Sequence, residues 1–200
     1  MNREKIKAII EWTIAFVLFF IVIKDSPYVS YYEFSPESAF ERSERTYYYG
    51  PSEVVEKVDL DDVQIFLSTY KNWFSATLVN KHAGIFWGPG SGVGGMEIKD
   101  KDDQDITHSW GGTSINEDYM LMRYYGIVTN PEINKVELDV AEGYGWDEQV
   151  PAEDIVTLSY RLNDHRMFLF HWNEVEDNYL SIALRGLNND GEVIYEEDLR

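Results

Sequence analysis

Apolar and polar residues alternate over much of the chain after residue 62, which places successive side chains on opposite faces of a strand. The clearest alternating stretches cover residues 63–67, 74–78, 136–140, 156–162, 168–172 and 180–184. Turn-forming pairs such as Lys71-Asn72 and Asn163-Asp164 separate several of them, and no long amphipathic helical pattern intervenes. The pattern therefore predicts a mainly β fold, either an antiparallel β-sandwich or a partly open barrel.

Two shorter signals point to helices ahead of these strands. Ser35, followed by Pro36 and Glu37, has the composition of a helix start, and the predicted short helix runs towards Arg45. Residues 51–58 are a second place where a helix could pack on one face of a sheet.

The most apolar stretch of the chain lies near the N-terminus, at residues 6–23. As a helix it would span ~27 Å, just long enough to cross a thin bilayer. Its uncharged part, residues 12–23, also has the length of the apolar region of a cleavable secretory signal. The sequence after Lys24 lacks the paired small residues that cleavage needs. We therefore predict one uncleaved transmembrane helix, with a protein secreted after signal cleavage as the alternative.

Basic residues set the predicted orientation of this helix. Arg3, Lys5 and Lys7 precede the apolar stretch, and such residues favour the cytoplasmic side of a membrane. The predicted localisation is the cell membrane, single-pass, with the N-terminus cytoplasmic and the β domain extracytoplasmic. The predicted parts are a cytoplasmic tail and anchor at 1–24, a juxtamembrane stalk with the short helix at 25–50, and an acidic β-sandwich domain at 51–200.

The chain is strongly acidic, with 17 basic and 36 acidic residues and a formal net charge of −19. Such a surface repels phosphate backbones, which argues against nucleic acid as a partner and favours cationic partners or metal ions. The sequence contains no cysteine, so disulfides, thiolate catalysis and cysteine-ligated metals are excluded.

Four aspartates concentrate carboxylates in one short segment: Asp100, Asp102, Asp103 and Asp105. Carboxylate oxygens are the ligands that Ca²⁺ prefers, but the spacing departs from the EF-hand loop. Asp105, for example, stands where that loop needs a glycine for its sharp turn. We interpret the segment as a solvated acidic loop, with a calcium site as the alternative, and we predict no other cofactor.

Motifs for catalysis are incomplete. Residues 90–95 match G-x-G-x-x-G, but no helical pattern follows them and the acidic residues beyond would repel phosphate. No serine lies in a G-x-S-x-G motif, and no histidines have the H-E-x-x-H spacing. The four histidines are interpreted as surface or edge residues: His82, His108, His165 and His171. The sequence therefore assigns no catalytic residue, and an enzyme is the less favoured interpretation.

Three tryptophans lie near turns or glycine-rich stretches: Trp87, Trp110 and Trp146. Exposed tryptophans could stack on sugar rings, whereas buried ones would belong to the core. A core or loop-anchoring role is the favoured interpretation. Ligand stacking is the alternative, and burial of all three would exclude it.

Three stretches of the sequence resemble stretches found in small membrane-anchored exported proteins of Gram-positive bacteria. They are Ser35-Pro36-Glu37 leading to Ala39-Phe40, Tyr124-Tyr125-Gly126 leading to Pro131-Glu132-Ile133, and the segment from Asp190 to Glu196. The resemblance implies an extracytoplasmic β domain behind a short anchor, and it implies no activity and no catalytic residue.

The function expected from the sequence is a non-enzymatic interaction module at the cell envelope. Its expected partners are membrane lipid, through residues 6–23, and an envelope protein or cell-wall carbohydrate. The alternative is a carbohydrate-binding or sugar-cleaving domain that uses the loop tryptophans.

Overall fold

The computed structural model describes residues 3–24, 31–90, 94–100 and 104–200. Its helices are α1 (Arg3–Lys24), α2 (Pro36–Tyr47) and α3 (Glu174–Asp177), with a short 3-10 helix at Ala152–Asp154. Its strands are β1 (Glu53–Leu60), β2 (Val63–Tyr70), β3 (Trp73–His82), β4 (Phe86–Pro89), β5 (Met96–Glu97), β6 (Ile106–Ser114), β7 (Met120–Val128), β8 (Lys135–Glu142), β9 (Ile155–Arg161), β10 (Met167–Asn173), β11 (Tyr179–Leu187) and β12 (Val193–Asp198).

These strands form three antiparallel sheets. The first sheet has the order β1-β2-β3-β4, with β5 also paired to β3. The central sheet has the order β10-β7-β6, and the third sheet has the order β12-β11-β8-β9. All six stretches in which residues alternate lie in strands, except that Leu162 follows the end of β9, so the prediction of a mainly β, antiparallel fold is confirmed.

The central sheet is buried on both faces, and the three sheets pack face to face as layers. On β7, Leu121 and Tyr125 pack into a cluster with residues of the first sheet. Tyr124 and Val128 of the same strand pack into a separate cluster with residues of the third sheet. The chain enters the third sheet at β8, returns to the central sheet at β10 and leaves it again at β11.

The short helix predicted after Ser35 is present as α2. The Ser35 hydroxyl oxygen caps it by accepting a hydrogen bond from the Ser38 N–H at 3.2 Å. Ala39 and Phe40 are buried against the outer face of the first sheet, and the rings of Phe40 and Phe66 stack with centroids 4.7 Å apart. The helix is thus part of the domain core. Residues 51–58, where a further helix was considered, belong mostly to strand β1.

The N-terminal segment does form a helix, but it does not bear out the predicted membrane span. Along α1, the described side chains from residue 4 to residue 22 are all exposed. In the described part of the chain, no helix combines the length and the apolar character that crossing a membrane requires. Five charged residues lie in the first half of the helix, Arg3, Glu4, Lys5, Lys7 and Glu11, and the longest uncharged run is residues 12–23. A span needs about 20 predominantly apolar residues. The single-pass membrane localisation predicted from the sequence is therefore wrong on this finding.

Candidate functional site

The interface between the central and third sheets is closed at one end and open at the other. At the closed end, Ile106, Phe168 and Leu138 are fully buried. At the open end lies a cleft of about 700 Å³. Its walls come from β6, β7, β10 and β11, and its rim comes from α3 and the loop that follows β8. A concave site with aromatic walls and a few polar groups is the usual form of a ligand-binding site.

The central sheet supplies the floor of the cleft in two rows of paired residues. Trp110 of β6 lies opposite Tyr124 of β7, and Gly112 lies opposite Met122. A Cβ atom on Gly112 would come within 2.7 Å of the Met122 sulfur and within 2.8 Å of the Met120 methyl carbon. The two methionine side chains therefore occupy the space that a side chain at residue 112 would take. The cleft beside Trp110 is deeper than it would be with a larger residue at this position.

A β-bulge in β11 decides which residues of the third sheet face the cleft. The pairing of β11 with β8 shifts between Ser181 and Ala183, so that Ile182 is the additional residue. Ser181 pairs with Val140, which faces the central sheet, and Ser181 therefore lines the cleft. Leu180, which also borders the cleft, and Ile182 join a cluster with Ala141 of β8, away from the central sheet. The bulge thus places a hydroxyl in the cleft where unbroken alternation would place leucine or isoleucine.

The structure separates the three tryptophans that the sequence grouped together. Trp110 and Trp146 both line the cleft, and they are 64% and 66% exposed. Trp87 is only 8% exposed, packs in the cluster under α2 and does not line the cleft. Since two of the three are exposed in one cleft, the alternative of ligand stacking is not excluded by burial.

A third tryptophan that the sequence did not single out forms the wall behind them. Trp172 of β10 is buried, and its indole N–H donates to the Glu174 carboxylate at 2.6 Å. Its ring also packs against Tyr179, with centroids 5.8 Å apart. Glu174 is the single carboxylate among the described residues that line the cleft. The hydrogen bond fixes this carboxylate at the start of α3, beside the aromatic wall.

Hydrogen bonds also hold the loop that carries Trp146. The Tyr144 hydroxyl donates to the carboxylate of Asp154, and the Gly145 N–H donates to the Glu148 carboxylate at 3.1 Å. The Gly143 N–H donates to the Asn178 carbonyl at 3.1 Å, which ties this loop to the other side of the rim. The exposed Trp146 is therefore presented by a loop with several internal anchors.

His108 joins a partly buried chain of hydrogen bonds at the edge of the cleft, a role that the sequence did not predict. Its Nδ1 is 2.7 Å from the Tyr124 hydroxyl, and its Nε2 is 3.1 Å from the Glu197 carboxylate. Tyr195 donates its hydroxyl to the same carboxylate. Burial, together with the negative charge of Glu197, raises the pKa of Tyr124. Because the Glu197 carboxylate can only accept, Nε2 carries the proton that faces it, and in a neutral imidazole Nδ1 then accepts a hydrogen bond from the Tyr124 hydroxyl.

Acidic groups surround the cleft, and they raise the pKa of its tyrosines. Burial raises the pKa of Tyr179, and the nearby charges of Asp177 and Glu142 raise it further. The hydrogen bond to Asp154 is the main reason why the pKa of Tyr144 is raised. No lysine or arginine belongs to the described lining. The cleft is thus an aromatic site in a negative field.

A second cavity, of about 760 Å³, lies between α2 and the start of the first sheet. One of its charged lining residues is the buried Glu44, which accepts a hydrogen bond from the Ser52 N–H at 3.1 Å and another from the Ser52 hydroxyl. This carboxylate already holds the segment between α2 and β1 in place. Tyr48 is the one exposed aromatic residue in the described lining of this cavity, so the cavity has no exposed aromatic pair like that of the cleft.

The predicted calcium segment falls partly outside the described residues. Asp102 and Asp103 lie there, whereas Asp100 and Asp105 are described, and the Asp100 carbonyl accepts a hydrogen bond from the Gln104 N–H. Among the residues that can be placed, no group of three or more histidine, aspartate or glutamate side chains could hold a metal ion. A calcium site at these four aspartates stays a prediction.

The histidines other than His108 do not belong to the cleft. His165 has its Nε2 3.0 Å from the Glu56 carboxylate, and its Nδ1 accepts a hydrogen bond from the Met167 N–H. It links β1 of the first sheet to the start of β10. Burial lowers the pKa of His171.

No protein-family model, curated protein or solved structure matches this chain. The site is therefore interpreted from its own chemistry.

Proposed function

We propose that this protein is a non-enzymatic binding module whose cleft binds carbohydrate. The observation that carries the proposal is the pair of exposed tryptophans, Trp110 and Trp146, in one cleft of about 700 Å³. Large aromatic side chains exposed singly need no explanation, but two in one concave site point to a ligand.

The polar groups of the cleft fit the same class of ligand. A sugar ring presents a face of C–H groups, which stacks on an indole ring, and an edge of hydroxyl groups, which needs hydrogen-bond partners. Ser181, Asn178 and Glu174 provide such partners along the aromatic walls. The cleft thus offers both aromatic surfaces for stacking and polar groups for hydrogen bonds to the hydroxyls of a sugar.

Binding without cleavage is the better-supported form of this function. Hydrolysis of a glycosidic bond generally needs two carboxyl groups on opposite sides of the bond. The described lining has only Glu174, and that carboxylate already accepts the indole N–H of Trp172. A sugar bound in the cleft would therefore meet one carboxylate and no partner for it.

Titration calorimetry of the full-length chain with neutral oligosaccharides tests the proposal. The probes are hexamers of β-1,4-linked N-acetylglucosamine and of β-1,4-linked glucose. We expect binding of at least one hexamer, with quenching of tryptophan fluorescence. Trp110→Ala and Trp146→Ala should each weaken that binding at least about tenfold, because aromatic side chains that a bound partner covers carry most of the binding energy.

Trp73→Ala is the matched control, because Trp73 is also exposed but lies at the start of β3 and outside the cleft. This variant should bind as the unchanged chain does. The proposal is abandoned if no hexamer, neutral or charged, binds, or if the two cleft variants bind as tightly as the control.

A further inference from the structure

The cleft combines aromatic walls with an excess of negative charge, and this combination narrows the kind of sugar it fits. Glu174 lines the cleft, and its fixed carboxylate stands beside the indole of Trp172. Asp154 and Glu148 hold the loop of Trp146 from the other side of the rim. Carboxylates therefore flank the aromatic site on two sides.

The charges near the cleft have no basic counterpart in the described lining. The charged side chains that act on the three cleft tyrosines with a resolved pKa shift are all acidic: Glu197 at Tyr124, Asp154 with Glu148 and Glu153 at Tyr144, and Asp177 with Glu142 at Tyr179. The chain as a whole has a net charge of −19. A carboxylated sugar would be repelled, whereas an ammonium group would be attracted.

We infer that the cleft selects sugars that carry a free, protonated amino group over their N-acetylated counterparts and over sugar acids. The ammonium group would lie between the Glu174 carboxylate and the aromatic walls. Tryptophan and tyrosine faces attract cations, so the walls add to the charge attraction. This inference rests on the proposed function, since it names the class of carbohydrate for the same cleft.

Three hexamers distinguish the possibilities: β-1,4-linked glucosamine, β-1,4-linked N-acetylglucosamine and α-1,4-linked galacturonic acid. Each is titrated into the full-length chain at low ionic strength, in a buffer that protonates the sugar amine. We expect the glucosamine hexamer to bind at least about fivefold more tightly than the N-acetylated one, which corresponds to one partly exposed ion pair. Added salt should reduce this ratio.

Glu174→Gln removes the charge and keeps an oxygen that can accept the Trp172 N–H. In this variant the ratio of the two affinities should fall towards one. Glu132→Gln is the matched control, because Glu132 is an exposed acid in the turn before β8 and does not line the cleft. The control removes the same unit of charge and should keep the ratio.

The outcomes separate this inference from the function on which it rests. Equal affinity for the two amino sugars, or tighter binding of the acetylated hexamer or of the acid, overturns the inference and leaves carbohydrate binding in place. An equal change of the ratio in both glutamate variants also overturns it, since the effect would then come from net charge alone. If no hexamer binds, both the inference and the proposed function fail.

Discussion

The two ends of the interface between the central and third sheets are made from the same strands but behave as different environments. At the closed end, Phe168 fills the space above Gly126, its partner on β7. At the open end, Gly112 and the exposed Trp110 leave room for the cleft. Side-chain size and one bulge, without any change of topology, therefore turn a packed core into a site.

The largest expected effect is on stability, at the closed end. Phe168→Ala should lower the free energy of unfolding by about 3–5 kcal/mol, because a fully buried phenyl ring leaves a cavity. Trp110→Ala, at the open end, should lower it by about 0.5 kcal/mol or less. Urea denaturation of the two variants measures both values. Similar losses at the two ends would contradict the distinction between them.

The next largest effect is expected from adding one methyl group at each end, by replacing a glycine with alanine. A Cβ atom on Gly126 would lie 2.5 Å from the Thr107 carbonyl oxygen and 2.6 Å from the Phe168 ring, and neither neighbour can yield easily. Gly126→Ala should therefore cost about 1–3 kcal/mol of stability.

Gly112→Ala meets only the flexible ends of Met120 and Met122, so its cost should be smaller. Its main effect should be a shallower floor and weaker sugar binding, measured by the calorimetric titration described above. The reverse order of the two stability losses would show that the open end is the more tightly packed.

A smaller effect is expected at the boundary between the two ends. Tyr124→Phe removes the hydroxyl that donates to His108 Nδ1, and the free energy of unfolding should fall by about 1 kcal/mol. Tyr47→Phe is the control at an exposed position of α2. Thermal or urea denaturation measures the difference. Equal stability of the two variants would mean that this hydrogen bond contributes nothing.

The smallest expected effect is a change in the dependence of stability on pH. Burial, together with the nearby Glu56 carboxylate, raises the pKa of Tyr160 to about 12. An unfolded tyrosine titrates near 10, so this contribution is complete below pH ~10 and is lost as the pH rises towards the folded value. Stability should therefore fall in this range, and less steeply in Tyr160→Phe. Parallel curves for the two chains would contradict the assignment.

Strands with one buried face could be predicted from the sequence, whereas the central sheet mostly could not. Residues 120–128 contain almost no alternation, because β7 packs on both faces and both sets of side chains are large. Strand β6 escaped prediction for a different reason. Its glycines, Gly111 and Gly112, and its hydroxyl side chains are typical of a loop in sequence, and only the pairing with β7 explains them.

The sequence identified Trp110 and Trp146 as candidate ligand-binding residues, but it did not show which other residues join them in the cleft. All three tryptophans lie in similar local sequence, and nothing local distinguishes the buried Trp87 from Trp110 and Trp146. Alternation also placed Leu180, Ile182 and Leu184 on one face. The bulge at Ile182 separates Leu184 from the other two, and sequence period alone carries no signal for it.

The passage of the chain between the central and third sheets has a consequence for folding. The chain goes from β7 to β8, returns from β9 to β10 and departs again for β11. In sequence, strands β8 and β9 of the third sheet therefore lie between strands β7 and β10 of the central sheet, and β10 lies between β9 and β11 of the third sheet. No single cleavage of the backbone between residues 106 and 198 can yield a fragment that contains one whole sheet and nothing of the other. The two walls of the cleft must therefore form and unfold together as one cooperative unit.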